Sequence, residues 1–125
     1  MLRKLLAVLA AASLIVAFAG IAGADYLSPK LVGEYQGTFI GDDYGSFLVT
    51  VNPDGSITGH AHSNLTYQDM EVSGACQIDG TCEFTTTQTP LYFKGKIDFM
   101  NRLIGKWAYT DHSGRGSFFA IIQQE

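Results

Sequence analysis

Hydrophobic and polar residues alternate along most of the chain after residue 32, and turn-forming residues interrupt this alternation at short intervals. A period of two is typical of β-strands with one buried face, and no stretch after residue 32 has the period of an amphipathic helix. Eight strands joined by short links close naturally into a barrel without open edges. The pattern predicts an all-β fold, an eight-stranded antiparallel up-and-down β-barrel, with strands at about 33–41, 45–51, 56–63, 69–77, 81–88, 91–99, 103–110 and 115–123.

Two turns set the register of their hairpins. Residues 52–56 place a proline and a glycine where a type I turn and its following bulge need them, and residues 77–81 repeat this chemistry. With a loop at 78–80, Cys76 lies directly opposite Cys82 at the closer, non-hydrogen-bonded type of site. We therefore predict a disulfide between these cysteines, because one C-x5-C pair lacks the other ligands that a structural zinc needs.

One face of these strands is assigned to the barrel interior. Inward glycines would relieve crowding beneath aromatic rings or permit curvature, and a turn at 100–102 would place Gly95 opposite Trp107. Eight strands leave space only for side chains or for one small molecule, and the many inward aromatic residues favour a packed core with at most a shallow pocket at one mouth. The predicted inward side chains are Tyr35, Phe39, Phe47, Val49, Val51, Ile57, Val72, Phe84, Phe93, Ile97, Phe99, Leu103, Trp107, Tyr109, Phe118 and Ile122.

The first 24 residues have the order of a secretory signal peptide. A short basic start precedes an apolar run at 5–19, and a small-residue cleavage site at 22–24 is followed by Asp25. A retained membrane anchor is the alternative, since a spanning helix needs about 20 apolar residues. We expect a signal peptide at 1–24, a lead-in at 25–32 and a single barrel domain at 33–125, located in the periplasm or secreted.

Charge and motif content exclude several classes of function. Removal of Arg3 and Lys4 with the leader changes the formal net charge from −4 to −6, and so acidic a chain is not expected to bind nucleic acid. No G-x-S-x-G motif occurs, and residues 111–113 (Asp-His-Ser) are consecutive, whereas a catalytic triad is assembled from separate segments. We expect no enzymatic activity, no cofactor, and no contact with a membrane after signal cleavage.

The run Gly33-Glu34-Tyr35, then Gly45-Ser46, then the segment at 54–59 (Asp-Gly-Ser-Ile-Thr-Gly), resembles the first strands of avidin-like barrels. Those strands show G-x-W, a later G-S and then D-G-x-x-x-G, and the wider calycin group, which includes the lipocalins, shares the G-x-W start. The resemblance covers about residues 33–61 and implies an eight-stranded barrel, with Ser46 as a polar ligand contact. Tyr35 stands in place of the family's tryptophan, and Trp107 is the only tryptophan, so biotin is not carried over as the ligand.

The first hypothesis for function is a binding module that holds a small apolar or aromatic ligand at the barrel mouth. The inward aromatic residues Tyr35, Trp107 and Tyr109 would line this site, and the resemblance adds Ser46. Small-molecule sites are mostly apolar with a few polar groups, which fits this set. A cavity lined by these aromatic side chains would favour the hypothesis.

The second hypothesis is a protein-interaction role, as an inhibitor of a secreted enzyme or as a self-assembling envelope component. Ile40, Ile104, Phe119 and Ile121 are predicted to face outward on neighbouring strands, and a turn at 111–114 would place Ile104 opposite Ile121. Contiguous exposed apolar patches usually mark interfaces. A filled barrel with this stripe exposed would favour protein contact, with a homo-oligomer as the simplest case.

A pair of histidines is the one candidate for metal chemistry. His60 and His62 lie two apart on the third strand and share its outer face. If Gly59 faced Gly74, His62 would lie opposite Glu71, and two imidazoles with a carboxylate can bind zinc or copper. The favoured interpretation is two exposed histidines beside an acid. A pH-responsive patch is a further alternative, because histidine ordinarily titrates near neutral pH.

Overall fold

The eight strands pair in the order in which they occur along the chain, and the last strand pairs with the first to close a barrel. The computed structural model describes residues 27–87 and 90–123. The predicted all-β, up-and-down, eight-stranded fold is confirmed, and each strand lies within a few residues of its predicted bounds. The strands are β1 (Gly33–Gly41), β2 (Gly45–Val51), β3 (Ser56–Ser63), β4 (Gln68–Cys76), β5 (Thr81–Thr86), β6 (Leu91–Ile97), β7 (Arg102–Tyr109) and β8 (Arg115–Ile122).

The two predicted hairpin turns form as expected. In each, the glycine amide donates to the carbonyl three residues earlier, Gly55 to Asn52 and Gly80 to Gln77, both at 2.9 Å. Both glycines have φ of +92°, in the region that side chains disfavour, which explains why glycine occupies these positions. The second turn sets Cys76 directly opposite Cys82, with their Cα atoms 4.0 Å apart, and the two form the predicted disulfide.

The turn between β6 and β7 differs from the prediction by two residues in register. Asn101 takes the left-handed conformation with φ of 58°, and its amide donates to the carbonyl of Asp98 at 3.0 Å. The loop is therefore 99–101, so that Gly95 lies opposite Gly105 and not opposite Trp107. The prediction that Phe99 points inward was wrong, because it lies in this turn and is 78% exposed.

Side chains fill the barrel interior. The rings of Phe84 and Phe93 stack with centroids 4.8 Å apart, and Phe118 packs edge-on against both. Gly105 allows β6 and β7 to approach closely, because a Cβ at this position would collide with the carbonyl oxygen of Lys94. The buried predicted side chains are Tyr35, Phe39, Phe47, Val49, Val51, Ile57, Val72, Phe84, Phe93, Ile97, Leu103, Trp107 and Phe118, while Tyr109 and Ile122 are partly buried against them.

The residues before β1 cover one end of the barrel, which we call the lead-in end. A 3-10 turn, Pro29–Leu31, follows Ser28, and the buried Leu27 donates its amide to the carbonyl of Pro53 at 2.9 Å. The predicted lead-in thus packs on the core from residue 27 onward. The predicted signal peptide at 1–24 lies outside the described residues. Within 27–87 and 90–123, no helix has the length and apolar character required to span a membrane.

Candidate functional site

The structure separates the aromatic residues that were predicted to share a binding mouth. Tyr35 is completely buried at the lead-in end, where its hydroxyl donates to the carbonyl of Leu31 at 2.8 Å. The side-chain amide of Asn101 also donates to this hydroxyl, at 3.2 Å. Burial raises the pKa of Tyr35 above its ordinary value, partly opposed by the hydrogen bond from Asn101. Tyr35 therefore ties the lead-in to the β6–β7 turn.

Trp107 and Tyr109 lie together near the opposite end, with ring centroids 5.4 Å apart and nearly perpendicular planes. The indole Nε1 of Trp107 donates to the carbonyl of Ile40 at 2.9 Å. Because Tyr35 belongs to the other end, these three aromatic residues do not line one mouth as predicted. Up-and-down topology explains the separation, since β1 begins at the end where β7 also begins, and Tyr109 is the last residue of β7.

A buried carboxylate at this opposite end was not predicted. Asp43 is 1% exposed and accepts hydrogen bonds from the Ser63 hydroxyl at 2.8 Å and the Tyr109 hydroxyl at 3.0 Å. It also accepts from the amide of Tyr44 at 2.6 Å. Burial, together with the Asp43 carboxylate, raises the pKa of Tyr109 to about 12. This cluster, which we call the Asp43 network, joins the β1–β2 loop, β3 and β7 at the end of the barrel opposite the lead-in, which we call the Asp43 end.

The position of Asp43 explains why sequence reasoning missed it. Asp42-Asp43-Tyr44-Gly45 has the composition of an exposed hairpin loop, and a carboxylate in such a loop is normally solvated. Asp42 is the exposed residue of the two, and its carboxylate accepts a hydrogen bond from the backbone amide of Arg115 at 2.9 Å. If the alternation of β1 is continued two residues beyond Gly41, it places Asp43 on the inward side with Phe39.

Ser46 lies on the outer surface of the barrel and not at a mouth. It pairs with Thr38 of β1 and with His62 of β3, and its neighbour Phe47 supplies the inward side chain. The alternation along β2 fixes this orientation. The four residues predicted as ligand contacts are therefore divided among the lead-in end, the Asp43 end and the outer face.

The two histidines face outward as expected, but the acid opposite His62 is not the one predicted. His60 lies opposite Glu71 and His62 opposite Asp69, because the loop at 64–67 shifts the register by two residues. The Nδ1 atom of His62 is 2.8 Å from an Asp69 carboxylate oxygen. Within the described ranges, no group of three or more histidine, cysteine or acidic residues is arranged to hold a metal ion.

The outer face of β7, β8 and β1 carries the predicted apolar side chains, which we call the apolar stripe. Phe119 lies opposite Ile104 on one side and opposite Thr38 on the other. Ile104 thus faces Phe119 and not Ile121, because the β7–β8 loop is 110–113, with His112 in the left-handed conformation at φ of 65°. The exposed fractions are 60% for Ile40, 42% for Ile104, 44% for Phe119 and 46% for Ile121.

Basic side chains border one side of the stripe. Lys94 and Lys106 lie directly opposite each other on the outer face of β6 and β7, and Arg115 follows on β8. A surface groove of about 600 Å³ lies among these cations, beside Ile40 and Tyr92.

Comparison of the chain with protein-family models, curated proteins and solved structures found no match.

Proposed function

We propose that this protein is a non-catalytic interaction module of the periplasm or extracellular space, and that its apolar stripe binds a second copy of the chain. The observation that carries the proposal is the contiguous exposure of Ile104, Phe119 and Ile121 on a barrel whose interior is already filled. Exposed apolar patches on otherwise polar surfaces usually mark interfaces. A ligand at a barrel mouth has less support, because its predicted contacts lie far apart and serve structural hydrogen bonds.

Export is the part of the proposal that rests on the leader and the disulfide. A Cys76–Cys82 bridge persists in an oxidising compartment and is rare in the cytosol. The basic, apolar and small-residue order of residues 1–24 supports the same compartment.

Charge distribution favours a particular arrangement of the two copies. Lys96 and Lys106 flank the stripe on the β6–β7 side, and Glu34 flanks it on β1. A two-fold axis parallel to the strands sets the basic flank of one copy against the Glu34 flank of the other. An axis across the strands would set like flanks together, which repels on the basic side. Either axis closes a dimer, so the charges favour the axis parallel to the strands.

The stabilisation available from the stripe indicates a weak dimer. Complete burial of one such side chain contributes about 1.5–3 kcal/mol, and these are already about half covered. Four residues from each copy would then contribute about 6–12 kcal/mol, against an association cost of about 4–15 kcal/mol. The gain and the cost are of similar size, so only weak self-association is expected, and it is sought at micromolar to millimolar concentrations.

The test is sedimentation velocity of residues 25–125 over about 10 μM to 1 mM. We expect concentration-dependent dimers for the wild type, and monomers with unchanged near-ultraviolet circular dichroism for Ile121→Asp and Phe119→Asp. Thr58→Asp, on the exposed outer face of β3, is the matched control and should still dimerise. If an aspartate variant fails to fold, Ile104→Thr takes its place in the test. Threonine keeps the strand preference of isoleucine, and the loss of apolar surface should weaken the dimer. A monomeric wild type at 1 mM, or dimers unaffected by the folded stripe variants, would overturn the proposal.

A further inference from the structure

A groove on the outer surface lies where two glycines face each other across neighbouring strands. Gly41 of β1 pairs with Gly116 of β8, so neither strand projects a side chain outward or inward at this point. The indole of Trp107 lies directly behind, since a Cβ on Gly116 would approach its Nε1 to 2.6 Å. The floor is therefore backbone, with the buried indole behind it, and the groove of about 600 Å³ has the size of a small-molecule site.

Three cations surround this floor. Lys94 and Lys106 are directly opposed on adjacent strands, and like charges in that position destabilise a sheet. Lys94 is 3.9 Å from Glu83, whose carboxylate also accepts the hydroxyl of Tyr92 at 2.7 Å. Lys106 and Arg115 form no ion pair with any side chain of the described residues. An anion seated between Lys106 and Arg115 would reduce a repulsion among the three cations that Glu83, beside Lys94, relieves only in part.

The remaining lining is apolar. Ile40, which is 60% exposed, and the half-buried ring of Tyr92 stand beside the cations, and Ala108 adds a methyl group. A bare inorganic anion would leave these surfaces in contact with water. A ring with an attached anionic group would cover them while its charge reaches the cations.

We propose that this groove binds a small amphipathic organic anion, a ring-bearing carboxylate, sulfonate or phosphate. The anionic group lies between Lys106 and Arg115, and the ring lies on the floor beside Ile40 and Tyr92. Ile104, Phe119 and Ile121 lie outside the groove lining, whereas Ile40 belongs to both surfaces and Lys106 borders both. Binding to the groove is therefore measured in the Ile121→Asp variant as well as in the wild type.

The probe is 8-anilinonaphthalene-1-sulfonate, which combines fused rings with one sulfonate. Titrations followed by fluorescence and calorimetry should give one site per chain, with affinity that falls as salt is added. Lys106→Gln combined with Arg115→Gln should weaken binding severalfold, to about tenfold, since each exposed charge pair contributes a modest amount. Lys96→Gln is the matched control, because this exposed lysine lies on β6 outside the groove.

Two further measurements locate the probe. Trp107 is the only tryptophan, so its single indole N–H signal in a nitrogen-15 correlation spectrum should shift on binding. Ile121→Asp should leave the affinity for the probe unchanged. A loss of affinity in this variant would mean that the probe binds the apolar stripe and not the groove. The proposal fails if the wild type does not bind the probe, if the double variant binds as tightly as wild type, or if Ile121→Asp abolishes binding. Failure of the dimer with an intact probe site would contradict the proposed function alone.

Discussion

The hydroxyl of Tyr109 donates a hydrogen bond of 3.0 Å to the buried carboxylate of Asp43, joining the end of β7 to the β1–β2 loop. The other carboxylate oxygen accepts from the Ser63 hydroxyl, whose own oxygen accepts the amide of Thr66 at 3.1 Å. One side chain thus connects three neighbouring parts of the Asp43 end. A carboxylate can be buried here because each oxygen has a donor.

Replacement of Asp43 should destabilise the barrel in a graded way. Asp43→Ala leaves the donors of Tyr109, Ser63 and Tyr44 without their acceptor and should lower the free energy of unfolding by about 3 kcal/mol. Asp43→Asn keeps one acceptor oxygen but loses the charge, so about 1 kcal/mol is expected. Urea denaturation measures both values. Asp69→Ala is the control, since this side chain is 90% exposed and its pair with His62 should contribute less than about 1 kcal/mol. Equal effects at the two positions would contradict the structural role of Asp43.

Tyr109 gives the barrel a predictable response to alkali. Its pKa is raised to about 12 in the folded protein, above the value near 10 of an unfolded chain. The fold therefore favours the protonated phenol, and the stability this contributes is complete below pH 10 and is lost as the pH rises toward 12. The loss should be small, because the ring is partly exposed to screening solvent.

Alkaline titration of tyrosinate absorbance checks this response. Tyr109→Phe should remove one of the tyrosines that ionise late and flatten the decline of stability between pH 10 and 12. Some decline should persist, because burial and the Glu83 carboxylate also raise the pKa of Tyr92. Tyr67→Phe is the matched control, since Tyr67 is 84% exposed. If the Tyr109→Phe titration matches that of wild type, the Asp43 network does not act on this phenol.

The sequence predicted the strands and the disulfide well because both depend on local chemistry. Alternation fixes which residues share a face, and the Asp-Gly turns fix the register of the β2–β3 and β4–β5 hairpins. The β3–β4, β6–β7 and β7–β8 hairpins were placed two residues out, because Tyr67, Asn101 and His112 take left-handed conformations that their sequence does not demand. An error of two residues keeps every strand residue on its predicted face, which is why the apolar stripe was still identified.

The candidate sites were harder to predict because they depend on which strands and ends adjoin. The burial of Asp43 depends on Ser63 and Tyr109, which are distant in sequence. The groove depends on Gly41 facing Gly116 between β1 and β8, a pairing that only closure of the barrel creates. Tyr35 was placed with Trp107 because both face inward, although facing inward does not determine the end of the barrel.

Processing of the leader is a separate prediction from the sequence. We expect cleavage between Ala24 and Asp25, because a small-residue site follows the apolar run. The exported protein should begin at Asp25 when analysed by N-terminal sequencing. Ala24→Pro should retain the leader and shift the mass accordingly, whereas Ala11→Leu, within the apolar run, should be processed normally. An exported wild-type protein that begins at Met1 would instead support a membrane anchor.

The disulfide should stabilise the barrel modestly and without effect on its topology. Cys76 and Cys82 are six residues apart, and closure of so short a loop restricts the unfolded chain by an amount worth about 2 kcal/mol. Both sulfurs are buried, and the hairpin is already fixed by the turn at Gln77 and Thr81, whose backbone hydrogen bond is 2.7 Å. The barrel is therefore expected to fold without the bridge, with a lower melting temperature.

The double variant Cys76→Ala with Cys82→Ala separates the bridge from other effects of reductant. Dithiothreitol should lower the melting temperature of the wild type, by several degrees for a domain of this size, and leave that of the double variant unchanged. Thiol titration of the denatured, non-reduced exported protein should find no free cysteine. Two free thiols in that protein would contradict the bridge, and equal melting temperatures for wild type and double variant without reductant would contradict its contribution to stability.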